Sequence, residues 1–189
     1  ILCMKYNIKN FYLNITNKKK KTILFFFCLV LIYFLKIKVS LFIFVLFSLI
    51  INSILAKIQF TNPIPTDFEL STFSITMVVL MTDLKLGLIY ALFPRLIASI
   101  YIKYFSPDNF IDFTTQVLIV FVIYYLQFLN ILFLGVIISL FDGLLIWIKR
   151  KYLLHTPFDA NISYLVSRFL LNIFLFFSFG EFVLFLLQL

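Results

Sequence analysis

The chain has 189 residues, of which 63% are hydrophobic and only 13% charged, with 27 Phe and a mean hydropathy of +1.11. A soluble globule of this length must show water far more polar surface than that, so the composition excludes one and implies an integral membrane protein. The formal net charge of +8 does not point to nucleic acid, because four of the positive charges form the run Lys18–Lys21 just ahead of an apolar stretch, the pattern of a cytoplasmic flank.

In chain order, residues 1–21 read as a basic cytoplasmic tail. Residues 22–38 read as a short apolar helix, either a span or an interfacial element; no small-residue cleavage site follows the apolar run, so it does not read as a secretory signal. Residues 39–189 read as a six-helix transmembrane domain. A helix rises about 1.5 Å per residue and a hydrocarbon core is about 30 Å thick, so a crossing takes roughly 20 residues. Charges and turn residues cut the chain into Val39–Ala56, Leu70–Thr82 (short), Leu86–Tyr104, Phe113–Ile148 and Asn161–Leu189. The piece 113–148 would be about 54 Å long as one helix, which predicts a break near Gln127–Asn130. The apolar runs are unbroken rather than alternating, which argues against a barrel. The expected fold class is all-α, a polytopic transmembrane helix bundle of six spans with a seventh N-terminal candidate.

Successive spans alternate direction, so the connections 57–69, 105–112 and 149–160 must share one membrane face. Their sequences, KIQFTNPIPTDFE, FSPDNFID and KRKYLLHTPFDA, hold four of the five prolines and five of the eight acids. The opposite face has only the tight links MTDLKLG and QFLN. Loops on a rigid scaffold are where binding tends to sit, which makes Asp67 and Glu69 candidate binding residues; common turn chemistry explains the same residues equally well.

Charged side chains inside spans are costly and mark paired or functional positions. Arg95 lies near the middle of 86–104, Asp142 lies seven residues before Lys149, and Arg168 lies seven residues after Asn161. Asp142 and Arg168 should therefore share a depth of roughly 10 Å below the same face, which predicts either a buried ion pair or two groups reaching one water-filled cavity. Asn161, Tyr164, Arg168 and Asn172 fall within about 80° of one another on a helical wheel, a polar stripe that should face protein or a cavity rather than lipid. Gly87, Ala91, Pro94 and Ala98 form a small-residue stripe suited to close helix packing. Arg95, Asp142, Arg168 and Asn172 join Asp67 and Glu69 as the candidate binding set.

Catalytic and metal signatures are lacking. His155 is the single histidine, and Cys3 and Cys28 support neither a disulfide framework nor a metal site. No Gly-rich phosphate loop, GxSxG, HExxH or CxxC occurs. The expectation is a non-enzyme with no cofactor and no metal. Asn14-Ile15-Thr16 and Asn161-Ile162-Ser163 match the glycosylation tripeptide, a pattern common by chance.

A span followed by PIPTDFELSTF, the entry LKLGLIYALF to a small-residue helix, DNFIDF, and a last helix with RFLLNIFLFFSFGE together resemble a loose group of six-helix membrane proteins. That group includes the substrate-binding S components of energy-coupling factor transporters and MreD-like rod-shape proteins. The resemblance covers residues 39–189 and implies outward loops after helices one, three and five that close over a vitamin or metal substrate. The glycines usual around helices two and three are mostly missing here, and no substrate-specific motif carries over.

Orientation stays open at this level. If 22–35 spans, the loop-rich face is cytoplasmic with 11 loop or tail Lys/Arg inside and 3 outside; if it does not, that face is external and the split is 9 to 5. Three functional classes follow. A solute-binding transport subunit predicts a cavity lined by Arg95, Asp142, Arg168 and Asn172 beneath the 57–69 loop. An MreD-like scaffold for envelope assembly predicts the same fold with a filled core. A small hydrophobic subunit of an organellar respiratory complex, suggested by residues of AT-rich codons such as Phe, Ile, Lys, Asn and Tyr, predicts extensive contacts with other chains. The expected partners are the lipid bilayer, other membrane subunits and, for the first class, a small-molecule substrate. The expected location is a membrane, either the cell membrane or an organellar inner membrane.

Overall fold

The computed structural model describes residues 38–61, 68–103, 108–152, 155 and 157–188. The expectations for 1–21 and 22–37, and the side chain of Asp67, lie outside the described residues. Six helices follow in order: α1 (Val39–Thr61), α2 (Ser71–Met81), α3 (Leu84–Ile102), α4 (Asp108–Leu126), α5 (Ile131–Tyr152) and α6 (Phe158–Gln188). All regular structure among the described residues is helical. Helices α1, α3, α5 and α6 are long and apolar enough to cross a membrane, while α2 and the stretch Asp112–Leu126 of α4 are apolar but shorter.

The chain forms two compact units, Ile1–Phe42 and Ile43–Leu189. The described part of the first is the opening of α1, where the Phe42 amide donates to the Lys38 carbonyl at 3.1 Å. The second carries the remaining helices and their polar clusters.

Local chemistry explains the boundaries. Helix α1 is described as far as Thr61. The turn between α2 and α3 is closed by Asp83, whose Oδ1 accepts from the Leu86 amide at 2.7 Å as an N-cap. Lys103 ends α3 in the left-handed region, with φ 60°. The break between α4 and α5 falls at 127–130, where Asn130 Oδ1 accepts from the Leu132 amide at 2.9 Å. Helices also run further than the apolar runs do: α1 extends past Ala56, α4 begins before Phe113, α5 passes Ile148, and α6 begins before Asn161. Hydropathy marks the stretch suited to hydrocarbon, whereas backbone hydrogen bonding continues into the polar interface. Asp112 and Lys149, expected in loops, are consequently helical.

Burial is inverted relative to a water-soluble protein. On α5 the apolar residues Phe133, Ile137, Leu140, Leu144 and Ile148 are exposed along one face, and on α6 so are Ile162, Val166, Leu170 and Phe174. Inside lie Ser48, Asn52, Thr72, Gln116, Ser139, Asp142, Lys149, Arg168 and Asn172. Water would penalise that outer surface and lipid would not, which fits an integral membrane location.

Helix α2 holds the centre. Its residues Ser71 to Val79 are buried without exception, on every side of the helix, against α3, α4, α5 and α6. Close approach depends on small residues at two seams. A Cβ added at Gly87 would lie 2.5 Å from Val79 Cγ2, and one at Gly135 would lie 2.6 Å from Phe176 Cβ. The first seam brings α3 against α2; the second closes α5 on α6. The Gly87, Ala91, Pro94 and Ala98 stripe is buried along its whole length.

Candidate functional site

The polar centre is assembled from the start of α2 and from the facing sides of α5 and α6. Asp142, wholly buried on α5, meets Arg168 on α6 side-on: Arg168 Nε donates to Oδ2 at 2.7 Å and Nη2 to Oδ1 at 3.1 Å. A fork of this kind is the strong form of an arginine–carboxylate contact. Two further donors finish the carboxylate. Thr72 Oγ1 donates to Oδ2 at 2.6 Å, and Asn172 Nδ2 donates to the same oxygen at 3.3 Å. Thr72 Oγ1 also accepts from Arg168 Nη2 at 3.3 Å.

Arg168 has a second acid. Its Nη1 donates to Glu69 Oε2 at 2.5 Å, and Gln116 Nε2 from α4 donates to Glu69 Oε1 at 3.3 Å. Glu69 belongs to the short non-helical stretch 68–70 ahead of α2, and the next residue is fastened by its own amide, which donates to Asn52 Oδ1 at 2.7 Å. Burial on its own would raise the Glu69 carboxyl, but the Arg168 and Arg95 guanidiniums outweigh it and hold the group down to about 2, from an ordinary 4.5.

A second cluster centres on Asp112 of α4. Arg95 Nη2 from α3 pairs with Asp112 Oδ2 at 2.7 Å, and Lys149 Nζ from α5 binds Oδ1. Arg95 acts on the charge of Glu69 as well, so the two clusters are electrostatically joined. Glu69, Asp112 and Asp142 supply three negative charges and Arg95, Lys149 and Arg168 three positive ones. Among the described residues of the two clusters the charges balance, which lowers the cost of holding them in a low-dielectric interior.

Of the candidate residues taken from the sequence, Glu69, Asp142, Arg168 and Asn172 come together in one cluster, and Arg95 stands in the neighbouring one with Asp112. Asp67 lies outside the described residues. The polar stripe on α6 faces protein at Asn161, Arg168 and Asn172, while Tyr164 is half-buried with its ring stacked under the Arg150 guanidinium at 3.4 Å to the centroid. Asn161 is buried and its Nδ2 donates to the Trp147 carbonyl at 3.2 Å, a placement unlike that of a glycosylation acceptor. Sequence reasoning missed Thr72, Gln116 and Lys149. Gln116 had a readable signal, since it follows Asp112 by four residues and so shares its helix face.

Three buried amide atoms beside the acid-rich cluster find no partner among the described protein atoms: Asn52 Nδ2, Gln116 Oε1 and Asn172 Oδ1. Each amide spends its other polar atom on the cluster or on the segment that holds Glu69. Among the described residues no group of His, Cys, Asp and Glu is arranged to hold a metal ion. No protein-family model, curated protein or solved structure matches this chain.

Proposed function

We propose that this chain is a multi-pass membrane protein that binds a small polar solute at the cluster around Glu69 and Arg168, as the substrate-binding membrane subunit of an uptake transporter. The observation that carries the reading is a set of three buried amide atoms, Asn52 Nδ2, Gln116 Oε1 and Asn172 Oδ1, without partners among the described protein atoms, on side chains whose other polar atom holds the cluster or the segment that carries Glu69. Buried polar atoms are normally satisfied, because leaving one unmade costs about 1–3 kcal/mol. A bundle that needed only structural glue would gain by replacing them with apolar groups. The resemblance to S components agrees with this placement, since Glu69 ends the connection expected to cover a substrate.

The test is a thermal-shift screen of the purified full chain in detergent against water-soluble vitamins, carboxylic acids, amines and divalent cations. The reading expects at least one class to raise the melting temperature of the wild type and to lose that effect in Asn172→Leu. If no class shifts the protein and Asn172→Leu is itself as stable as the wild type, the solute site is lost.

One observation favours a second reading, an MreD-like scaffold. The Asp142 oxygens are fully engaged by Thr72, Arg168 and Asn172. A filled and locked centre suits a membrane anchor for partner proteins. That reading expects no solute response and co-purification of a defined membrane partner from native membranes.

A further inference from the structure

The three acids of the buried network are not held alike. Asp142 sits in the middle of α5 under four hydrogen bonds. Asp112 sits on α4 between Arg95 and Lys149. Glu69 alone stands outside a helix, on the connection between α1 and α2, and its two oxygens are held by Gln116 and Arg168. Its side chain keeps 13% of its surface exposed, against none for Asp142.

The groups around Glu69 make a seat for a carboxylate whatever chain that carboxylate belongs to. Arg168 Nη1 supplies a charge-assisted donor and Gln116 Nε2 a neutral one. Arg95 adds a second positive field. Exchange of one carboxylate for another would leave the buried total at zero. Entry of a neutral molecule in place of Glu69 would strand a positive charge in low dielectric, and entry of a cation would add a second.

We infer that Glu69 is a built-in stand-in for the ligand, and that a small carboxylic acid binds as its anion by displacing the Glu69 carboxylate from Arg168 and Gln116. The inference rests on the reading of this cluster as a solute site and names the class of solute.

A tethered carboxylate competes with a free one at high effective concentration, so removing it should sharpen binding of the free anion. The experiment measures unfolding of the full chain in detergent through the single Trp147, at constant ionic strength, in series of benzoate, benzamide and chloride. Benzoate should stabilise Glu69→Gln at a concentration about tenfold or more below that needed for the wild type, a difference of about 1.4 kcal/mol. Benzamide should do nothing. If Glu69→Gln does not fold, Glu69→Asp, which shortens the reach by one methylene, should show the same order with a smaller gain. Benzoate acting no better than benzamide or chloride in whichever variant folds would overturn the inference. Neutral or cationic solutes that bind the wild type without any benzoate effect would overturn the carboxylate assignment and leave the solute site standing. No response to any solute, in wild type or variant, would remove both.

Discussion

The cluster around Arg168 and the cluster around Asp112 are built from the same number of charges with the signs reversed. In the first, two carboxylates share one guanidinium and leave an excess of one negative charge. In the second, a guanidinium and an ammonium share one carboxylate and leave an excess of one positive charge. Either alone would be an uncompensated ion in a medium where such an ion costs several kcal/mol. Side by side, with Arg95 acting on Glu69, they cancel. The difference between them lies in depth and redundancy. Asp142 is wholly buried and Arg168 almost so, whereas Arg95 keeps a quarter of its side-chain surface exposed and can be served by water.

That contrast can be broken most sharply at Asp142. Asp142→Asn leaves Arg168 only Glu69 and leaves one positive charge uncompensated where side chains are almost wholly buried, so it should cost about 3–5 kcal/mol, read as loss of folded protein in detergent or a large fall in melting temperature. Asp142→Leu combined with Arg168→Leu should be less damaging than either single change, because one charge of each sign goes and Glu69 keeps Gln116 and the field of Arg95. In the base-rich cluster, Lys149→Met should cost less, about 1–3 kcal/mol, because Asp112 keeps Arg95. Equal losses at Asp142 and Lys149 would erase the distinction. Gly135→Ala separates packing from charge: its methyl would meet Phe176 and push α5 from α6, costing about 1–3 kcal/mol and loosening the Asp142–Arg168 fork, while Asp112 on α4 keeps Arg95 on α3.

The smallest expected effect is on pH dependence. The Glu69 carboxyl is held down to about 2 in the fold against an ordinary 4.5. Its contribution to stability is thus fully present above about pH 4.5 and declines as pH falls toward 2. Melting temperatures of Glu69→Gln should lack the share of the acid-side decline that falls in that window, and a wild-type curve that is flat between those limits would contradict the Arg168 contact.

The helices were legible because an unbroken apolar run has few other uses and because charged or turn residues bracket each one. The break at 127–130 was legible from length alone, since 36 residues exceed one crossing. Shared depth brought Asp142 and Arg168 together on paper because they lie on consecutive antiparallel helices, where counting residues from the common end is enough. Glu69 and Arg168 are 99 positions apart, and no periodicity links them. The direct partner of Arg95 was hidden for a similar reason. Its partner Asp112 read as a loop residue, since the apolar signal begins at Phe113 while the helix has already started at Asp108. Lys149 read as the first residue of the 149–160 connection, and only its partner Asp112 on α4 shows that it points inward.

Helix α2 has 11 residues, about 16 Å of rise, and carries Ser71, Thr72, Ser74 and Thr76. Such a segment is too short to cross a bilayer and too rich in hydroxyls to partition into one unaided. It therefore has to enter the membrane as a passenger, held to α3 through the Thr82–Asp83 turn and sheltered by α6 when that last helix is made. The order of biosynthesis then matters: until α6 arrives with Arg168, Asp142 has no cationic partner among the described residues and Glu69 has only Arg95 and Gln116. A ribosome-stalled chain ending before residue 168 should leave α2 open to aqueous labelling at an engineered cysteine, and release of the full chain should close it.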